Sequence, residues 1–218
     1  MTDVVTAGTA LKGTFRTLSP GEMPLLRDHL LRLDRDSRRN RFNGVVDDSF
    51  IESYAAKSAR DGTIVVAYFT DGEVHGAAEL HQPEAASEFL PEMAFSVESD
   101  VRRQGLGSRL FEKVLDAARR AGFTRVRITT GSENEPMKAL ARKFGAHLTF
   151  GHGESTGIIE LDKVPSPSIV ADTRDGEVAP GISTKRVVTP VDAAYAAIGF
   201  NRWYWRQMFR AWNMPHSA

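Results

Sequence analysis

The chain has 218 residues, 28 Lys and Arg against 28 Asp and Glu, and no cysteine. Zero formal net charge argues against a general nucleic-acid binder, whose footprint is strongly basic, and the lack of cysteine excludes disulfides, zinc–thiolate centres and thiol nucleophiles. No run of about 18 uncharged apolar residues is present to span a bilayer, and Met1 to Gly13 lacks the regions of a secretory signal, so a cytoplasmic protein is the default expectation.

Residues 1–13 are small, polar and unpatterned, and read as a flexible leader. Phe15 to Leu18 forms a first short strand. Ser19-Pro20-Gly21-Glu22 then starts a helix: Ser19 caps, Pro20 suits the first position and Glu22 completes a capping box. Leu25, Leu26, Leu30 and Leu33 recur at helical spacing, so residues 20–35 bury one face. His29 is expected on that helix's surface. A polar stretch, Asp34 to Asn43, follows. A second helix covers 48–60, with Phe50, Ile51 and Tyr54 on one face.

The period then changes. Thr63 to Phe69 is β-branched and aromatic, hence a strand. Asp71-Gly72 is a hairpin turn, and Val74 to Leu80 is the returning partner. Ser87 to Val97 is a further strand, with Met93, Phe95 and Val97 on one side and Glu92, Ala94 and Ser96 on the other. A helix follows over about 105–121 and ends at Gly122. Val126 to Thr130 is a strand. Asn134 caps a helix reaching Phe144, and His147 to Phe150 and Gly157 to Leu161 are two closing strands. This order is α+β, with a mixed, mostly antiparallel sheet flanked by helices over residues 14–163. Residues 164–190 form a Pro/Gly/Ser-rich linker. Residues 191–213 form an amphipathic aromatic helix with Tyr204, Trp205, Met208 and Trp212 on one face. It docks on its own domain or on a second subunit of a homodimer, or it serves as a peripheral membrane contact or a partner-binding segment.

The most informative stretch runs from Val97 to Ser108. A strand ends, the chain turns, and Gly105 and Gly107 stand at the mouth of an amphipathic helix. A helix N-terminus carries free N–H donors and partial positive charge. Glycines let a ligand approach the backbone, and Arg102 and Arg103 add charge. The product is a pyrophosphate cradle. It is neither the G-x-G-x-x-G fingerprint nor a P-loop.

Arg102-x-x-Gly105-x-Gly107 resembles the acyl-CoA motif R/Q-x-x-G-x-G/A of the GNAT superfamily of acetyl-CoA-dependent N-acetyltransferases. Asn134 to Gly145 is similar to that family's N-x-x-A-x-x-L-Y-x-K-x-G element, and Leu33 to Phe42 resembles the segment after the first helix in GNAT domains of bacterial protein-lysine acetyltransferases. The resemblance implies the GNAT (acyl-CoA N-acyltransferase) fold and acetyl-CoA as acyl donor. It implies that backbone N–H groups of Gln104, Gly105, Leu106, Gly107 and Ser108 hold the pyrophosphate. Phe95, Ser96 and Val97 splay from the neighbouring strand to admit the pantetheine arm, a backbone N–H near Phe95 polarises the thioester, and Asn134 contacts the cofactor arm.

Acetylating an amine requires a base to take its proton near neutral pH. Glu92, on the strand before the cofactor turn, is the candidate, because a partly buried carboxylate is a better base; the competing reading is a strand-edge carboxylate in solvent. The family's frequent general acid, a Tyr in the second motif, is replaced by Ala141. Tyr54 and Tyr68 are other hydroxyls to consider. The six His show no metal-ligand spacing, so no metal is expected. Arg32, Arg35, Arg38, Arg39 and Arg41 crowd one segment and form either a patch for acidic partners or a solvated face neutralised by Asp34, Asp36, Asp47 and Asp48. The expected reaction is acetyl transfer to a primary amine, a protein lysine first, by direct attack in a ternary complex. The alternatives are a small-molecule amine acceptor and a non-catalytic CoA-binding sensor or interaction module.

Overall fold

The computed structural model of the protein describes residues 11–83 and 90–161. Residues 1–10 of the expected leader, the linker 164–190 and the helix 191–213 lie outside the described residues, as does the start of the strand expected from Ser87. The elements are β1 (Thr14–Thr17), α1 (Met23–Arg32), α2 (Arg35–Phe42), α3 (Asp48–Arg60), β2 (Ile64–Thr70), β3 (Glu73–His81), β4 (Glu92–Val97), α4 (Leu106–Arg120), β5 (Arg125–Gly131), α5 (Glu135–Lys143), β6 (His147–Gly151) and β7 (Glu154–Glu160).

The strands form one sheet in the order β1-β2-β3-β4-β5-β7-β6. Neighbours are antiparallel except β4 and β5, which are parallel. Asp71 and Gly72, at φ 53° and 85°, make the tight turn between β2 and β3. Two positive φ values give the primed turn that matches strand twist. Further along the chain α4 closes at Gly122, φ 84°, where the Phe123 N–H reaches back to the Ala118 carbonyl at 3.0 Å.

The sheet separates two environments. One face packs on α4, and Val66, Ala78, Leu80, Met93, Val126 and Ile128 meet Leu110, Phe111 and Val114 there. Phe111 is stacked between Phe95 and Phe144, with centroids 4.8 and 4.4 Å away. Side chains alternate along a strand, so Glu79, Glu92 and Ser96 fall on the opposite face, where Tyr54 of α3 bonds Glu79 and His29 of α1 bonds Ser96.

Two local expectations are corrected. The single helix over 20–35 is a 3-10 turn at Pro20–Glu22 followed by α1 from Met23. Pro24 has no N–H and fits only near a helix start. The Glu22 carboxylate does reach back to the Ser19 N–H, at 2.9 Å. The stretch Asp34 to Asn43, read as merely polar, holds α2: Leu33 turns extended (ψ 137°) and Asp34 caps a new helix by accepting from the Ser37 N–H at 2.8 Å. Just before β1, the Gly13 N–H donates to Tyr68 Oη at 2.9 Å and Leu11 packs on the core. No helix among the described residues is long and apolar enough to cross a membrane.

Candidate active site

The parallel pairing of β4 and β5 is short. It holds two register pairs, Glu92 with Arg127 and Met93 with Ile128. Both strands run further, β4 to Val97 and β5 to Gly131, each still paired on its outer side with β3 or β7. The Arg127 N–H donates to the Pro91 carbonyl at 2.9 Å, and the Glu98 N–H donates to the His75 carbonyl at 3.0 Å. Peptide groups alternate in direction along a strand, so odd-numbered residues of β4 turn theirs toward β5. The Phe95 peptide therefore faces a gap that opens where the ladder stops. Backbone groups at such a gap need a hydrogen-bonding partner.

The gap leads to the mouth of α4. The chain passes Arg103 at φ 58° and Gly105 at φ 83° before the helix begins. Gly105 is the N-cap, and no side chain caps the first turn. The contrast with α2, α3 and α5 is direct: Asp34, Asp47 and Asn134 each accept a first-turn N–H, at 2.8, 2.8 and 3.2 Å. The first helical bond of α4 is Arg109 N–H to the Gly105 carbonyl, 3.2 Å, so the N–H groups of Leu106, Gly107 and Ser108 precede it. Uncapped donors and the helix dipole favour an anion there.

Most side chains around this mouth are engaged with the protein. Arg102 donates to the Val97 carbonyl at 2.8 and 3.0 Å and to the Ser37 hydroxyl, and lies 3.6 Å from Asp34. It fastens the loop to the end of β4 and to α2. Arg103 is exposed, and Gln104 donates to the Asp100 carbonyl at 3.4 Å. Leu106 is buried in the core, and the Ser108 hydroxyl accepts from Lys143 at 3.0 Å. Asn134 uses both ends of its amide, capping α5 and donating to Thr130 Oγ1 at 3.0 Å.

On the polar face Glu92 is buried, and Arg127 Nη2 lies 3.2 Å from its Oε2. The carboxylate thus neither faces solvent nor stands alone. Its register partner on β3 is His81. Nearby, fully buried Glu79 accepts from Arg41 at 2.7 Å and from Tyr54 at 2.6 Å, and Tyr54 Oη also lies 2.9 Å from His81. Burial acts to raise the Glu79 pKa, but the Arg41 charge and the bonds from His81 and Tyr54 outweigh it and hold it well below the usual carboxylate range. Tyr54 and Tyr68 therefore have bonds already, and Ala141 is buried in the core.

Sequence reasoning missed a second buried cluster. His29, expected at the surface, has no exposure at all. Its Nε2 lies 2.9 Å from Ser96 Oγ and its Nδ1 2.8 Å from Glu98 Oε1. Glu98 also meets Arg32 at 3.2 Å and His75 at 3.0 Å. Partial burial acts to raise the Glu98 pKa, and the hydrogen bond and charge from His29, with Arg32 and His75, pull it below its ordinary value. The signal was present in the spacing, because His29 shares the helical face of Leu26, Leu30 and Leu33. Asp100 brings an oxygen to within 4.8 Å of the ligand atoms of His75 and Glu98, but Arg32 on the same carboxylate disfavours a further cation.

The arginine-rich segment is neutralised by one of the expected aspartates, Asp48, and otherwise by glutamates remote in sequence. Arg38 pairs with Asp48 at 2.6 Å, Arg41 with Glu79 and Arg32 with Glu98, while Asp34 and Asp47 serve as helix caps. Arg35 and Arg39 line a cavity of about 580 Å³ together with Leu33, Val45 and Val46.

A gap between parallel strands that ends at an uncapped helix mouth suits an extended ligand with phosphates at one end. That is the arrangement of an acyl-CoA site. Residues 28–146, more than half of the chain, match the acetyltransferase (GNAT) family, and the chain belongs to it. Among similar solved folds, the GNAT domain of S. lividans PAT has a TM-score of 0.58 at 18% identity, covering 68% of this chain and 90% of that one. The Salmonella typhimurium acetyltransferase yncA, solved with its cofactor acetyl-CoA, has a TM-score of 0.52 at 18% identity, covering 72% and 99%. Ribosomal-protein-alanine N-acetyltransferase from Brucella melitensis has a TM-score of 0.51 at 20% identity, covering 66% and 96%. The chain is thus an acetyltransferase of the GNAT fold, as the two glycine-containing motifs implied.

Proposed function

We propose that the protein moves the acetyl group of acetyl-CoA to a primary amine, a protein lysine before other acceptors, by direct attack in a ternary complex. The observation that supports this best is the coincidence of the β4–β5 gap with the uncapped mouth of α4. A pantetheine arm is an extended amide chain, and such chains complete interrupted ladders. Residues 95–97 would flank it, and the N–H groups from Gln104 to Ser108 would hold the pyrophosphate. Acetyl-CoA supplies an activated thioester carbon. The Phe95 N–H, turned toward the gap, is the donor for the thioester oxygen, where a fixed dipole stabilises developing charge. Asn134, bonded to Thr130, shapes the turn after β5 and would border the arm.

Glu92 is the proposed base. Arg127 fixes its carboxylate from one side, and it shares the polar face of the sheet with Ala94 and Ser96. It takes the amine proton directly or through water as the nitrogen attacks. A protein acceptor is favoured by the cavity beside α2. Exposed Arg35 and Arg39, with Val45 81% exposed beside them, offer charge and apolar surface to an acidic protein. The Brucella enzyme of similar fold is also named for a protein amine.

The test is calorimetric titration with acetyl-CoA of the full chain and of Gly105→Glu, followed by mass spectrometry of lysine peptides and free polyamines. Saturable binding lost in the variant, with peptide acetylation, supports the reading. Acetylation of the polyamines alone moves the acceptor to small molecules. Binding without any turnover favours the CoA-sensing module.

A further inference from the structure

Loss of a thiolate leaving group needs a proton donor, and the hydroxyls considered from sequence do not provide one. Ala141 has none, Tyr54 is held by Glu79, and Tyr68 accepts from Gly13. Ser96 is different. It lies on β4 beyond the last rung to β5, next to Phe95, whose peptide faces the gap. Its hydroxyl is bonded to an imidazole, and that imidazole to a carboxylate: Ser96 Oγ to His29 Nε2 at 2.9 Å, His29 Nδ1 to Glu98 Oε1 at 2.8 Å.

The proton positions follow from the acceptor. An ionised carboxylate only accepts, so Nδ1 carries a hydrogen. Nε2 then either accepts from Ser96 or, in the imidazolium, donates to it. Exposure rises outward along the chain, from none at His29 to 11% for the Glu98 side chain and 20% for His75. Among the described residues, the charged and titratable groups recorded against this imidazole and its carboxylate are Glu98, Arg32, His75 and neighbouring Asp100. An apolar side chain would join α1 to β4 without the cost of burying an imidazole.

We propose that Ser96, positioned by His29 and Glu98, is the general acid that protonates the departing CoA thiolate. The inference rests on the proposed acetyl-CoA reading of the gap. The amine nitrogen forms the bond to the acetyl carbon as the carbon–sulfur bond breaks with its electron pair going to sulfur. Sulfur takes the Ser96 proton, Ser96 takes the Nε2 proton of the His29 imidazolium, and His29 regains a proton from solvent between turnovers. Ser96 is the catalytic residue; His29 and Glu98 are positioning residues that act through it.

The experiment follows the His29 ring nitrogens by ¹⁵N NMR across pH in the full chain, alone and saturated with CoA or with desulfo-CoA. CoA is expected to shift the His29 titration midpoint relative to desulfo-CoA, because only CoA has a sulfur to share the proton. In Ser96→Ala that difference should vanish while calorimetric CoA affinity is kept. With any acceptor amine in hand, Ser96→Ala should lower kcat about 100-fold, within the range of general acid–base contributions, and His29→Asn should remove the alkaline limb of the pH profile. Identical His29 titrations with CoA and desulfo-CoA overturn the relay, as does an unchanged kcat in Ser96→Ala. Failure of the intact chain to bind CoA overturns the underlying site reading instead, which keeps the two failures apart.

Discussion

The α4 face and the α1–α3 face of the sheet are built from alternate residues of the same strands, yet they are held by different forces. On the α4 face, Ala78, Leu80 and Met93 pack on Leu110, Phe111 and Val114, and the contribution is apolar burial, which needs volume but little direction. One residue along in each case, Glu79, Glu92 and Ala94 point the other way. There Arg41 and Tyr54 bond Glu79, Arg127 lies against Glu92, and His29 bonds Ser96, the next residue on that side, each at a defined distance. The comparison teaches a division of labour. A buried ion pair adds little net stability over an apolar replacement, so the α4 face carries the larger share of the fold's stability.

The sharpest way to break this comparison is to cut into the apolar face. Phe111→Ala removes the middle ring of the Phe95–Phe111–Phe144 stack and should cost about 4 kcal/mol in urea unfolding, the usual range for a buried phenylalanine. A loss below about 1 kcal/mol would mean that the α4 face does not carry the fold.

On the polar face, Arg41→Met leaves Glu79 buried without its cation and should cost about 3 kcal/mol. The double variant Arg41→Met, Glu79→Leu should recover most of that. If the double variant is the less stable one, the pair is a stabilising element and the contrast between faces fails. The same carboxylates set an acid limit. Glu79 and Glu98 are both held below the ordinary value of 4.5, so they bind fewer protons folded than unfolded. Their contribution is whole above about pH 4.5 and is lost as pH falls through and below it. A melting series should show Tm falling in that acid range, and Glu79→Leu combined with Arg41→Met should flatten part of the fall.

Chemistry should separate from stability at Glu92. Glu92→Gln should lower kcat about 100-fold or more while acetyl-CoA affinity, read by calorimetry, stays within about threefold. An unchanged rate would remove Glu92 as base.

The smallest effect sharpens the contrast between helix mouths. Asp47→Ala should cost about 1 kcal/mol, as loss of an N-cap does, and leave acetyl-CoA binding alone. Gly105→Glu should abolish the binding. A shared effect on binding would mean that the α4 mouth is not the anion site.

Much of the fold was legible because it rests on local rules. The hairpin at Asp71-Gly72, the cap at Asn134, the stop at Gly122 and the alternation of Glu92 against Met93 are all written in neighbouring residues. The late start of α1 was legible too, in Pro24, and the break before α2 in Asp34 standing three residues before Ser37, but the leucine spacing masked them. Gly105-x-Gly107 located the helix mouth for the same local reason, a backbone at positive φ beside free N–H groups.

What the sequence could not hold was distance across the sheet. His29 and Glu98 are 69 positions apart, Arg41 and Glu79 are 38, and Glu92 and Arg127 are 35. The end of the β4–β5 ladder after Met93–Ile128 is likewise a relation between two strands joined through α4. By itself the sequence determined most of the helices and strands, where the chain turns, and that a glycine-flanked helix mouth opens after β4, because propensity, capping and glycine conformations act within a few residues. Only the tertiary structure decided which buried charges face one another and where the sheet parts. Those depend on sheet pairing and on burial, which bring groups remote in sequence into a region of low dielectric where each must find its partner.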